Sequence, residues 1–196
     1  MRTRDEHKLH AIMKQAIKMI VKTGFDGLSM QKLARAAGVS PATIYIYFKD
    51  RDDLLLQLFQ AELQKYYDAI LQDFRPDMEF AEGMRLQWKN RKDFALKHRE
   101  ESHFLEHFSY TPLHAKALKM RDPKIRIVLK EFTSRAIQKK QLLEMPVEVF
   151  WSVSFAPLYN LLRWEKEGKN MAGEPFELTD EMLEQTLALT LKALKP

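Results

Sequence analysis

Two stretches of this 196-residue chain carry side chains at spacings that can do chemistry. HFLEH, residues 103–107, has the form H-x-x-E-H. On a helix His103 and His107 are four apart and share a face. Both imidazoles can then hold one zinc ion, with Glu106 beside them as general base. That chemistry is metal-dependent hydrolysis, and it needs a third ligand. No downstream Glu stands in such a context, and His98 lies five residues before His103, off the shared face. Ordinary surface or pocket histidines are the simpler reading.

The second stretch is SPATIYIYFKD, residues 40–50. It sets Ile44, Tyr45, Ile46, Tyr47 and Phe48 in a row and follows them with Lys49. A helix starting at Ser40 puts Ile44 and Phe48 on one face, four apart, pointing inward. Ala42, Thr43, Tyr45, Ile46 and Tyr47 are left over the remaining surface. Small Ala42 allows close approach to DNA. Thr43 can reach a base edge or a thymine methyl. Tyr47 and Lys49 suit phosphate oxygens, and Tyr45 suits either task. Ile46 suits a thymine methyl or the edge of the domain. Ser29 and Ser40, at helix starts, can join backbone N–H groups at phosphates, and Gln31 completes the set.

These side chains need a scaffold, and the surrounding residues supply one. QKLARAAGVSPATIYIYF, residues 31–48, has the spacing of two short helices crossing through a tight turn. Ala34 is small where they touch, Gly38 tolerates positive φ in the turn, and Val39 and Ile44 plug back. Ser29 caps the first of these helices. Ser40 caps the second, with Pro41 at its first position, where a missing N–H costs nothing. A preceding helix over about Thr3–Lys22 has an apolar stripe through Leu9, Ile12, Met13, Ala16, Ile17, Ile20 and Val21. A fourth helix starts at Asp50, with Asp53 reaching back as in a capping box. It continues toward Phe74.

Charge singles out the same region. Residues 1–51 hold 10 Lys and Arg against 4 Asp and Glu, a net +6, while the rest of the chain nets −1. A basic head on a nearly neutral body fits a polyanion partner. The absence of cysteine excludes disulfides and thiolate metal sites and suits a reducing compartment. No apolar run is long enough to span a membrane, and the N-terminus lacks a signal core, so a cytoplasmic protein with no membrane partner is expected. G-x-S-x-G, P-loop and G-x-G-x-x-G patterns are all missing. No enzyme and no cofactor is expected.

GFDGLSMQKLARAAGVSPATIYIYFKDRDDLL, residues 24–55, resembles the DNA-binding head of TetR-type transcriptional regulators. The shared features are a basic first helix, the aromatic after Gly24, the helix-turn-helix, the S-x-x-T-I-Y-x-Y-F-K run and an acidic-capped fourth helix rich in Leu. Ile46 departs from the pattern, since relatives often carry a polar or aromatic residue there. The resemblance implies an all-α protein. A three-helix head at residues 1–49 would precede a larger ligand-binding and dimerisation bundle at 50–196, about nine helices in total. It also implies double-stranded operator DNA, a second copy of the chain and a small-molecule effector as partners.

Further helices are expected over 79–99, 101–109, 123–141, 146–168 and 178–195, broken at Pro112, Pro123, Pro146 and residues 173–175. Pro157 should kink the fourth of these. Its sequence is apolar nearly all round, so one face can pack on its own subunit and another on a twin. Phe150, Leu158 and Leu161, with Leu183, Leu187, Leu191 and Leu194 of the last helix, are the expected dimer interface. Trp88, Phe104, His107, Phe108, Trp151, Phe155 and Tyr159 are the expected lining of an effector cavity for an apolar or amphipathic molecule. Plain core packing is the alternative for each of them.

Overall fold

The structure, a computed structural model, describes residues 5–196. Eleven helices occur among the described residues, with one isolated β-bridge between Lys169 and Pro175 and no strand. The chain packs as two compact units. One comprises the described residues through Tyr66 together with His98–Asp122; the other comprises Tyr67–Lys97 and Pro123–Pro196.

The first unit contains α1 (Glu6–Thr23), α2 (Met30–Ala36), α3 (Pro41–Tyr47), most of α4 (Arg51–Ile70), α6 (Arg99–Phe108) and α7 (His114–Lys119). The start expected at Thr3 lies outside the described residues. The apolar stripe of α1 buries Ile12, Ala16, Ile17 and Ile20 as its 3.6-residue period requires. They meet Leu33 and Ala34 of α2, Ile44 of α3 and Leu54, Leu55 and Leu58 of α4 in one core. Phe104 and Phe108 bring α6 into that core. Phe108 stacks on Phe59 at 4.2 Å between centroids, and both α6 rings lie against Phe25. Through Phe104, Phe108 and Ala117, α6 and α7 thus complete that core.

The second unit contains the end of α4 with α5 (Phe80–Lys97), α8 (Lys124–Gln138), α9 (Val147–Ser154), α10 (Ala156–Glu167) and α11 (Asp180–Leu194). Trp88 lies at its centre, 1% exposed, among Phe155, Leu158, Leu162 and Leu187. Gly83 is required by close packing. A Cβ there would lie 2.5 Å from Cε2 of Phe132, itself buried. Gly83→Ala is therefore expected to destabilise this unit by about 1–2 kcal/mol, the overpacking cost exceeding the roughly 1 kcal/mol that Ala gains in a helix. Thermal melting checks this, and a rise in melting temperature would contradict it.

Helix count differs from the expectation: eleven helices among the described residues, not about nine. The six-residue α7 was not anticipated. The helix expected over 146–168 is two, because Phe155 leaves helical geometry at φ −126° between α9 and α10. The bend is placed two residues before Pro157, which sits in the first turn of α10, where proline is tolerated. Helix α4 ends at Ile70, and a turn with Asp73 at φ 58° leads to buried Phe74.

Candidate nucleic-acid interface

Helices α2 and α3 are seven residues each, too short to be stable alone, so their positions come from caps, turn and core. Ser29 accepts from the Lys32 N–H at 3.3 Å. Ser40 accepts from the Thr43 N–H at 3.2 Å, and its hydroxyl lies 2.8 Å from that of Thr43. Between them Gly38 takes φ 67°, and the Val39 N–H bonds the Ala34 carbonyl at 3.0 Å. Left-handed backbone at this position favours glycine over any side chain. Ala34, 1% exposed, permits the close crossing.

Ile44 and Phe48 are fully buried, as their spacing predicts. With these anchors fixed, Ala42, Tyr45 and Ile46 are exposed and Thr43 is half-buried. Tyr45 is 55% and Ile46 39% exposed, unusual for large apolar groups on so short a helix. Ser40, Lys49 and Gln31 are exposed and Ser29 is half-buried. Lys32 and Arg35 of α2 are exposed as well. They add basic groups that the sequence reading had only as part of a net charge.

Tyr47 is the correction. It was expected on the surface, yet it is 6% exposed. Its hydroxyl accepts from the Asp5 N–H at 2.9 Å and donates to the Asp5 carbonyl at 3.1 Å. Asp5 in turn caps α1 by accepting from the His7 and Lys8 N–H groups. Tyr47 therefore ties the end of α3 to the start of α1.

The start of α4 also departs from expectation in detail. Asp50 accepts from the Asp53 N–H at 2.8 Å, but Asp53 reaches back to the Lys49 N–H at 2.8 Å, one residue earlier than a capping box. Asp53 accepts from Gln57 too. The Lys49 N–H first, then Gln57 and nearby lysine charges, hold its carboxyl below the ordinary carboxylate value. Its folded pKa lies below its unfolded one, so its contribution is full above about pH 4 and fades as pH falls through the folded value. Asp53→Asn is expected to melt below wild type at pH 7, with the gap narrowing as pH falls below about 4. A gap independent of pH would refute this. Arg51, not singled out from the sequence, donates to the Phe25 and Leu28 carbonyls and locks α4 onto the turn before α2.

These features form a rigid helix-turn-helix that presents a hydroxyl- and aromatic-bearing helix beside basic groups. Residues 12–58 match the model for bacterial regulatory proteins of the tetR family. Over its whole length the chain is similar to a TetR family transcription regulator from Marinobacter aquaeolei VT8. The two are 28% identical, with 100% of this chain and 99% of that one covered and a TM-score of 0.83. These matches support a TetR family transcriptional regulator. An uncharacterized HTH-type transcriptional regulator of Haemophilus influenzae is 37% identical over 73 residues, 37% of this chain and 39% of its own length. The fatty acid metabolism regulator protein of Bacillus subtilis is 29% identical over 79 residues, 40% of this chain and 41% of its own length. The match thus spans about two fifths of these two curated relatives. TetR-family proteins are DNA-binding regulators and not enzymes.

The hydrolase alternative at His103, Glu106 and His107 finds no support. The two imidazoles stack at 4.1 Å, 21° apart, but no group of three metal-binding side chains occurs among the described residues. No helix among those residues is long and apolar enough to cross a membrane.

The residues expected to line one effector cavity fall into two groups. Phe104 and Phe108 belong to the core of the first unit, and His107 is exposed on the same helix. Trp151, Phe155 and Tyr159 gather in the second unit around Arg91, a side chain the sequence reading passed over, and Trp88 lies in the core of the same unit. Arg91 is 1% exposed, donates to the Tyr159 hydroxyl and to Gln87, and lies over the rings of Phe155 and Trp151. Of the expected dimer residues, the structure buries Leu158, Leu161, Leu183, Leu187 and Leu194 within their own chain, while Phe150 and Leu191 are partly buried against the same core. The exposed apolar side chains on these helices are others: Val147, Val149 and Trp151 on α9, Tyr159 on α10, Met182 and Leu189 on α11.

Proposed function

We propose that this protein is a cytoplasmic homodimeric repressor that holds a palindromic operator and releases it when an apolar or amphipathic molecule binds its helical body. The observation that carries the DNA half is the outward set Ala42, Thr43, Tyr45 and Ile46, displayed by a helix whose inward anchors are buried completely. Ser29, Gln31, Ser40 and Lys49 would hold the phosphates on either side. Tyr47 serves as a brace that sets the height of α3 over α1.

A two-fold dimer would place two such helices roughly 34–36 Å apart, one turn of DNA. The exposed apolar groups of α9 and α11, with Leu189 at 63% exposure, are the surface proposed to meet the second copy. The functional boundary is proposed near residue 50, at the start of α4. That helix has residues in both compact units, which makes it the proposed carrier of an effector's influence. The aromatic set around Arg91 is the proposed effector contact within the second unit. The regulator of fatty acid metabolism matches over 40% of this chain only, so it leaves the effector's chemistry open.

The test is a titration of the protein against DNA upstream of its own gene, with excess nonspecific competitor and at several salt concentrations. Saturable binding of two chains to a short palindrome, weakened by salt, is expected. Tyr45→Ala should weaken it by about 1–3 kcal/mol without changing the melting temperature. Tyr47→Ala would not isolate the DNA contact, because it also removes the tie to the Asp5 backbone. Failure to enrich any site by selection from random DNA would overturn the repressor reading.

A further inference from the structure

The second unit holds a cleft of about 540 Å³ between the first turn of α5, the turn at residues 139–142 and the last turns of α11. Its size falls within the range of small-molecule sites, about 300–1,000 Å³. None of the aromatic residues discussed above lines it.

Its construction is firm. Gln141 accepts from the Phe80 N–H at 3.0 Å and donates to the Glu79 carboxylate, which pins the turn to the start of α5. The Leu143 N–H bonds the Leu194 carbonyl at 3.0 Å, which pins the same segment to the end of α11. The apolar lining is Phe80, Ala81, Ala188, Leu191 and Pro196.

Charge at its edges is one-sided. Glu79 is taken by Lys139 at 2.7 Å as well as by Gln141, and these bonds hold its carboxyl below the ordinary value. Arg85 is taken by Glu184 at 3.2 Å. Lys140, Lys192 and Lys195 line the cleft with no ion-pair partner among the described residues. Three cationic side chains around an apolar recess favour an anion. An uncharged apolar molecule would leave these cations unmatched, and a cation would be repelled by them.

We propose that this cleft binds an amphipathic anion, a molecule with a carboxylate or similar head on an aliphatic body. The body lies against Phe80, Ala188 and Leu191, and the head lies among Lys140, Lys192 and Lys195. The site goes beyond the repressor reading, since such binding needs neither DNA nor the aromatic set around Arg91.

The experiment is calorimetric titration of the full chain, without DNA, with decanoate below its micelle-forming concentration. Decanol and decyltrimethylammonium are the uncharged and cationic counterparts. Two variants accompany it: Lys140→Glu with Lys192→Glu, which reverses the edge charge, and Ala188→Trp, which fills the recess. All sit on the surface; Ala188→Trp should melt as wild type, and the double variant slightly below it, because Lys192 lies in the last turn of α11. One saturable decanoate site is expected, with Kd raised at least tenfold in each variant and decanol at least tenfold weaker. No saturable decanoate binding, decanol or decyltrimethylammonium binding as well as decanoate, or an unchanged Kd in either variant overturns the proposal.

Discussion

Replacing Ala42 with Glu is expected to cut operator affinity on the order of a hundredfold while leaving the fold intact or slightly more stable. Ala42 is the second residue of α3 and is exposed. A carboxylate there sits at the positive end of a helix, where it gains about 0.3–1 kcal/mol. Its own domain should therefore tolerate it. The same carboxylate would face the DNA phosphates at close range. One carboxylate–phosphate pair at ~7 Å and an effective dielectric of about 20 costs about 2.4 kcal/mol. That is a factor of roughly fifty, and a second phosphate or lost close approach carries it to about a hundred. The two effects have opposite signs, so misfolding cannot mimic the result. Fluorescence anisotropy with labelled operator measures the first, and thermal melting the second. Unchanged affinity would show that α3 does not face DNA through this position.

What the sequence disclosed and what it hid divide along a physical line. Local periodicity reports which residues share a face, and it was right wherever one face has one destination. Ile12, Ala16, Ile17 and Ile20 are one stripe and are buried together. Ile44 and Phe48 behave the same way. Tyr47 is three residues from Ile44 and shares its face equally well. Its hydroxyl disguised this, because the partner that satisfies it, the Asp5 backbone, is 42 residues away. Helices with two apolar faces defeat periodicity altogether. In α10 and α11 the leucine stripes are the inward ones, and Met182, Leu189 and Tyr159 are left outside. Nothing in their spacing says which face meets the chain's own core. Arg91 escaped notice because a lone arginine in a charged stretch reads as solvated. Its burial depends on rings that come from α9 and α10. The helix-turn-helix was legible for the reverse reason: its caps, its glycine and its anchors all lie within about twenty consecutive residues.

Trp88→Ala is expected to be the most destabilising single substitution in the second unit, costing on the order of 4–8 kcal/mol. Truncating a fully buried Trp removes its transfer energy and leaves a cavity, about 3–5 kcal/mol. A second loss comes from the ring nitrogen, which donates to the Ser154 carbonyl at 2.9 Å. Ser154 is the last residue of α9, immediately before the break at Phe155, so its carbonyl stands at a helix end that needs an outside donor. Orphaning it in a buried setting costs about 1–3 kcal/mol. The sum is comparable to the whole stability of many domains, about 5–15 kcal/mol. Trp88→Phe separates the two contributions, since it keeps most of the volume and loses only the donor, and it should cost about 1–3 kcal/mol. Circular dichroism melting of both variants beside wild type is the measurement. Trp88→Ala melting within a few degrees of wild type would mean that the α9–α10 break is held by something other than this contact. A Phe variant as damaged as the Ala one would assign the break to the hydrogen bond alone.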